Sequence, residues 1–251
     1  MFRLNPDDYI ARVVEQQIKA GKLEEEMKTW ASTIKSKWED IAENATVFHK
    51  LIMGHDNQSS YEEWVKATKD TAFDEATQQV IDAEGAIWKE VMKNHGRKAD
   101  KTGGSKVIKN LNFESELKGM TEKILGHIDY LVVKENGEIE LYNVKTSTEP
   151  FNTWSAAKMQ KYKYQLALLK QMLANHGIST NYIVMHIIPV QIKYDEDFNG
   201  IESINVEQEK NVTYNGTQYT FDKYERAAKQ FIESNINTEA VRSSDLVKVS
   251  E

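Results

Sequence analysis

Apolar positions along the chain change their period near residue 110. From residue 6 to about 95 they recur at helical spacing: Ile10, Val13, Val14 and Ile18, then Trp30, Ile34 and Trp38, then Ile41, Ala45, Phe48 and Ile52. This predicts a mainly helical first part, residues 1–95. From Leu111 to Lys145 the pattern is that of strands. ILGHIDYLVV and EIELYNVKT are joined through Glu135-Asn136-Gly137-Glu138, and an Asn-Gly pair suits the positive φ of a tight hairpin. Helical spacing returns from Trp154 to Asn175, with Ala157, Tyr164, Leu168 and Met172 among the apolar positions and Gly177 placed to cap the C-terminus. The run Tyr182 to Val190, YIVMHIIPV, is too short and too β-branched for a helix and reads as a buried strand.

The connecting segments are legible too. His95 to Lys109, HGRKADKTGGSKVIK, combines two glycines with Arg97, Lys98, Lys101, Lys106 and Lys109 and predicts a mobile basic loop. Val212 to Phe221 holds a second Asn-Gly turn at Asn215-Gly216, and Asp222 is placed to cap a helix running toward Ile232, before a loose tail. The expected architecture is one α/β domain over residues 1–251. It has a helical N-terminal part (1–95), an α/β core (110–190) in which a mixed sheet is flanked by helices, and a C-terminal hairpin, helix and tail (191–251).

Composition narrows the chemistry. The 251 residues are 40% apolar and 28% charged and contain no cysteine, which excludes disulfides, thiolate metal sites and cysteine nucleophiles. Any metal must sit among oxygens and imidazoles. No stretch approaches the roughly 18 to 20 apolar residues of a membrane span, and MFRLNPDDYIARVV lacks a signal-like apolar run. The expectation is a cytoplasmic protein with no membrane partner. A net charge of −7 opposes nonspecific coating of nucleic acid and leaves room for a local basic groove.

Strand alternation directs Asn143 and Lys145 to one side, together with Ile139 and Leu141. Asp129 lies on the strand that pairs with theirs, and Glu114 and Glu116 share a face of the strand before it. Phosphodiester hydrolysis needs a hard cation to neutralise charge on the phosphate and acidify a water, and Mg²⁺ prefers carboxylate, amide and water oxygens. A nearby lysine can position the water or hold the phosphate as a point charge. Acids and lysines alternating along a strand equally describe a solvated sheet face, so spacing by itself does not choose.

The string FESELKGMTEKILGHIDYLVVKENGEIELYNVKTSTEP resembles the core of the PD-(D/E)XK nucleases of the RecB-like branch, in which a Glu is followed by Gly-x-x-Asp, a hairpin and Asp/Glu-x-Lys-Thr. The resemblance spans roughly residues 38–190, is closest from 112 to 175, and takes in phage-type exonucleases. It implies an αβββαβ core. It also implies Glu114 as the first acid, with Glu116 as its alternative, Gly126 and Asp129 as the Gly-x-x-Asp pair, and Asn143-Val144-Lys145-Thr146 in the Asp-x-Lys-Thr position. Upstream, ENATVFHKLI resembles the helix whose Gly-Thr-x-x-His signature brings a histidine to the metal, here His49 with Ala45 in place of the glycine. Downstream, SAAKMQKYKYQLALLKQML resembles the helix carrying a Gln-x-x-x-Tyr element. Gln160 and Tyr164 satisfy the spacing literally, whereas Gln165 followed by Leu166 fits the Gln-Leu pattern and is preferred.

The implied activity is Mg²⁺- or Mn²⁺-dependent hydrolysis of DNA, as an exonuclease on single strands or duplex ends, in a bacterial or phage-infected cell. His49, Glu114, Asp129 and Asn143 would hold metal. Lys145 would assist the attacking water with Asp129 and Glu114 beside it, and Gln165 would orient substrate. Lys158 and Lys161 on the downstream helix, and Arg97 and Lys98 in the basic loop, are the candidate DNA contacts. Asn143 departs from the pattern, because an amide binds Mg²⁺ more weakly than the Asp or Glu expected there. The alternative it raises is a catalytically silent DNA-binding or assembly protein on the same fold.

Overall fold

The structure is a computed structural model that describes residues 6–54, 58–68, 73–93, 105–116, 123–134, 136–178, 183–195, 200–208 and 210–213. The chain divides into two compact units, residues 1–77 with 194–202, and residues 78–193 with 203–251.

The first unit is helical. Helix α1 (Pro6–Lys19) opens on proline, whose missing N–H costs nothing in a first turn. Helix α2 (Glu24–Ile52) starts with Glu24, Glu25 and Glu26 facing the positive end of its dipole, and α3 (Gln58–Ala67) follows. Phe48 of α2 and Trp64 of α3 are fully buried, with ring centroids 5.5 Å apart. Asn44 Nδ2 donates to the hydroxyl of Tyr194 at 3.3 Å.

The second unit holds most of α4 (Phe73–Lys93) and then β1 (Lys106–Glu116), β2 (Lys123–Val133), β3 (Ile139–Ser147), α5 (Ala156–Asn175) and β4 (Ile183–Tyr194). Short strands β5 (Ile201–Val206) and β6 (Lys210–Thr213) follow. The sheet order is β1-β2-β3-β4-β5, with β6 also paired to β4. Strands β1, β2 and β3 form an antiparallel meander, and β4 runs parallel to β3, which requires the crossover that α5 supplies. Leu166, Leu169 and Leu173 of α5 pack on Leu131, Ile139, Leu141, Ile183, Met185 and Ile187 of the sheet. On another part of the sheet the Trp88 ring of α4 lies 5.9 Å from Tyr130, and Glu84 pairs with Lys109 at 2.6 Å. The expected α/β class, a mixed sheet flanked by helices, is what forms.

Local chemistry explains the joints. At the β2–β3 hairpin Gly137 has φ +79°, its N–H donates to Lys134 O at 2.9 Å, and Lys134 N donates to Glu138 O at 2.9 Å. This is the three-residue loop in which glycine takes the left-handed position. Helix α5 begins where the Ser155 hydroxyl accepts the Lys158 N–H. It ends where Gly177 N donates to Ala174 O and Ile178 N to Leu173 O, the two bonds of a Schellman cap.

The basic loop proves shorter than expected, since Lys106 to Lys109 belong to β1. Val107 and Ile108 pair there with Val132 and Leu131, and apolar cross-strand pairing outweighs the neighbouring lysines. Arg97, Lys98, the Gly103-Gly104 pair, the Asn215-Gly216 turn, the Asp222–Ile232 helix and the tail lie outside the described residues.

Gly126 has a packing reason. It stands opposite Phe113, and a Cβ there would lie 2.8 Å from Phe113 Cζ and 2.9 Å from Met172 Cε of α5. We expect Gly126→Ala to destabilise the fold by about 1–3 kcal/mol through overpacking, measured by urea denaturation. Pairing it with Phe113→Leu should recover part of the loss, and no recovery would mean the ring is not the obstacle.

Candidate functional site

Two features of the sheet meet at Asp129. The β2–β3 ladder ends at Tyr130↔Tyr142, so beyond it the two strands part. Alternation also slips there. Ile108 and Leu111 of β1, and Leu131 and Ile128 of β2, all contribute to the core against α5, although each pair is separated by three residues rather than an even number. Between them sit Asn110, with φ +56°, and Asp129. Alternation from Leu131, which pairs with Leu141, puts Asp129 on the side of β3 that bears Asn143 and Lys145.

Asp129 is 2% exposed. Its Oδ2 accepts the backbone N–H of Val144 at 2.6 Å, in the place of a ladder bond. That N–H belongs to the peptide linking Asn143 to Val144, so the carboxylate abuts the stretch of β3 that bears Asn143 and Lys145. Oδ1 lies 2.7 Å from His127 Nε2. The other ring nitrogen of His127 is 2.7 Å from Asn112 Oδ1, and Asn112 Nδ2 donates to Asn110 Oδ1 at 3.3 Å. A chain of side chains from β1 thus leads up to the carboxylate.

Asn143 is 1% exposed. Its Nδ2 donates to the Met185 thioether at 3.6 Å, and its Oδ1, fully buried, has no hydrogen-bond partner among the described residues. A buried acceptor left without a donor is costly, and an amide oxygen is a ligand that hard cations use. Lys145 extends toward α5, where its ammonium lies 5.5 Å from the centre of the Tyr162 ring. Burial pushes the Lys145 ammonium below the usual lysine range, and the negative charge of Asp129 opposes that shift.

The remaining expected residues distribute unevenly. Glu114 is exposed and stands opposite Leu125, four residues along β2 from Asp129. At about 3.3 Å per residue that is about 13 Å, too far for both to ligate one Mg²⁺. Glu114 therefore does not join Asp129, because the antiparallel register carries β1 past it. Glu116 ends β1 opposite Lys123, farther still. His49 is a half-buried residue of α2 in the first unit, one position from buried Phe48.

On α5, Tyr162, Leu166, Leu169 and Leu173 form the stripe against the sheet. At about 100° per residue, Gln165 borders that stripe beside Tyr162 and Leu169, whereas Gln160 lies well round the helix. Lys158 is half-buried. Its ammonium donates to Ser147 Oγ at 3.2 Å and covers the Trp154 ring at 3.7 Å, with burial pulling its pKa down against the charge of Glu149. Lys161 is half-exposed on the same helix.

No family model and no curated protein matches the chain. Among solved structures it is similar to one described as "Crystal structure of SSO0001", with 13% identity, 81% of this chain and 86% of that chain covered, and a TM-score of 0.29. Among the described residues no helix is long and apolar enough to cross a membrane.

His127, Asn112 and Tyr162 were not marked as site residues by the sequence. His127 alone left a signal, since it stands two residues before Asp129 on a strand. Tyr162 also carries a titration. Burial pushes its hydroxyl up to about 12 from an ordinary value of 10.0. An acid whose pKa is raised by folding contributes stability that is complete below the unfolded value and is lost as pH climbs through the folded one. Alkaline destabilisation between about pH 10 and 12 should reach about 2–3 kcal/mol from this group. Tyr162→Phe should reduce that loss, read as a shallower fall of urea midpoint with pH; equal slopes would exclude Tyr162 as a source.

Proposed function

We propose that the chain is a metal-dependent deoxyribonuclease of the PD-(D/E)XK kind, acting as an exonuclease on single strands or duplex ends. One observation carries the reading: the Asp129 carboxylate is held on the Val144 N–H, between Asn143 and Lys145, at the point where β2 and β3 part. The order α4-β1-β2-β3-α5-β4 supports it, being the αβββαβ arrangement that the resemblance implies.

The residues present suit a hard cation. Asp129 and the unpartnered amide oxygen of Asn143 would hold it, and His49 is added on the resemblance alone. When bound, Mg²⁺ or Mn²⁺ supplies charge neutralisation at a phosphate and acidifies a water. Lys145 offers a positive point charge to a phosphate oxygen or to that water, and the Tyr162 ring restrains it. Gln165, at the border of the sheet-facing stripe, is assigned to orient substrate. Glu114 is left out of the ligand set on the distance given above.

A time course on end-labelled linear DNA and closed circular DNA, with Mg²⁺, with Mn²⁺ and with EDTA, tests the reading. Metal-dependent loss of the end label with circles intact is the expected result, and rapid cutting of circles contradicts an exonuclease. The neutral amide of Asn143 favours a second reading, a silent DNA-binding or assembly protein. Absence of cleavage by both this chain and Asn143→Asp would select it.

A further inference from the structure

The connection from β3 to α5 is unusually aromatic. Phe151 sits in a single turn of 3₁₀ helix (Phe151–Thr153), Trp154 follows it, and Tyr162 lies two turns into α5. Their rings form a continuous row, with centroids 5.0 Å apart for Phe151 and Trp154 and 6.0 Å apart for Trp154 and Tyr162. Each ring carries one lysine from a different element. Lys210 of β6 is 5.7 Å from the Phe151 centroid, Lys158 of α5 is 3.7 Å from that of Trp154, and Lys145 of β3 is 5.5 Å from that of Tyr162.

Several other described lysines are held by ion pairs instead. Lys19, Lys28, Lys93, Lys109 and Lys134 each pair with a glutamate. Among the described residues Lys145, Lys158 and Lys210 make no ion pair. Glu149 reaches Lys158 only as a longer-range charge, and the Glu207 carboxylate is engaged by the Phe151 N–H at 2.8 Å. A ring face attracts an ammonium ion and holds it in place without cancelling its charge. In a protein of net charge −7, a row of ammonium groups held on ring faces, with Asp129 and Glu149 acting on Lys145 and Lys158 only as nearby charges, is arranged for an anion that comes from outside. One end of the row is Lys145, beside Asp129.

We propose that Lys145, Lys158 and Lys210, each backed by an aromatic ring, form a rail that binds the phosphodiester backbone of one DNA strand and leads it away from the candidate catalytic centre. The proposal rests on the nuclease reading and adds the path of the substrate. The contacts are to phosphate, so they fix the position of the strand and carry no base preference. Lys210 supplies a role for β6, which the active-site chemistry does not use.

The test is the salt dependence of binding, measured by fluorescence anisotropy of a fluorescein-labelled oligo-dT strand in EDTA, so that no cleavage occurs. Each phosphate neutralised on a single strand contributes about 0.7 to the slope of log K against log salt. The full chain should bind with a salt-dependent slope. Lys158→Gln with Lys210→Gln should make that slope shallower by about 1.4, while the corresponding arginine pair retains it. Lys210 is exposed, so Lys210→Gln alone should fold and shift the slope by about 0.7, which decides the matter if the double variant melts early by circular dichroism. An unchanged slope in folded Lys210→Gln and in the double variant overturns the rail, as does wild-type binding that ignores salt. Failure of the nuclease reading looks different: the slopes shift as expected, and neither this chain nor Asn143→Asp cleaves with Mg²⁺ or Mn²⁺.

Discussion

Asn143→Asp is expected to raise Mg²⁺- or Mn²⁺-dependent cleavage of end-labelled DNA by about 10²- to 10³-fold over this chain. The estimate follows from adding one negative charge about 4 Å from a cation at an effective dielectric near 20, about 4 kcal/mol per unit of each charge before the cost of desolvation. The same change should destabilise the metal-free protein. Position 143 is 1% exposed, and a buried carboxylate without a full partner costs several kcal/mol. The paired expectation is a lower melting temperature in EDTA, recovered as Mg²⁺ or Mn²⁺ is added, because a ligand that binds only the folded state stabilises it by mass action. Differential scanning fluorimetry against metal concentration reads both effects. A variant that melts early and gains nothing from either metal would mean that the orphaned amide oxygen of Asn143 does not mark a cation site.

Asp129→Ala should have the largest effect on the fold. It strips an acceptor from the buried Val144 N–H, a partner from His127, and the charge that opposes desolvation of Lys145. Breaking a buried charged network by removing one member costs about 3–5 kcal/mol. Urea denaturation should show the midpoint falling with little change in m. Asp129→Asn keeps an oxygen for the Val144 N–H and should cost distinctly less, while abolishing cleavage as fully as the alanine. If alanine and asparagine cost the same, the Val144 bond is not what the carboxylate contributes.

Legibility differed between the fold and the site for physical reasons. The helices of the first unit and strands β2, β3 and β4 were readable because a buried face imposes a period on the sequence. The hairpin at Gly137 and the cap at Gly177 were readable because few residues tolerate positive φ. The start of β1 was not. Lys106 and Lys109 look like loop residues until Val133 and Tyr130 are brought opposite them and Glu84 pairs with Lys109. The α5 stripe was legible only in part: Leu168 and Met172 are buried, but the buried face also takes in Leu166, Leu169 and Leu173, with Tyr162 packed beside them.

Residue types and local spacing determined, without any coordinates, that Asp129, Asn143 and Lys145 belong to paired strands around an Asn-Gly hairpin, and that metal chemistry here must use oxygen and imidazole. Only the tertiary structure decided which acids meet. Register excludes Glu114 because antiparallel pairing converts a separation in sequence into about 13 Å along β2. The parting of β2 and β3 beyond Tyr130 and Tyr142 is what lets the Asp129 carboxylate take the Val144 N–H beside His127. The aromatic backing of the three lysines depends on bringing residues of β3, the first turns of α5 and the start of β6 to one row of rings, a property of packing that no local pattern encodes.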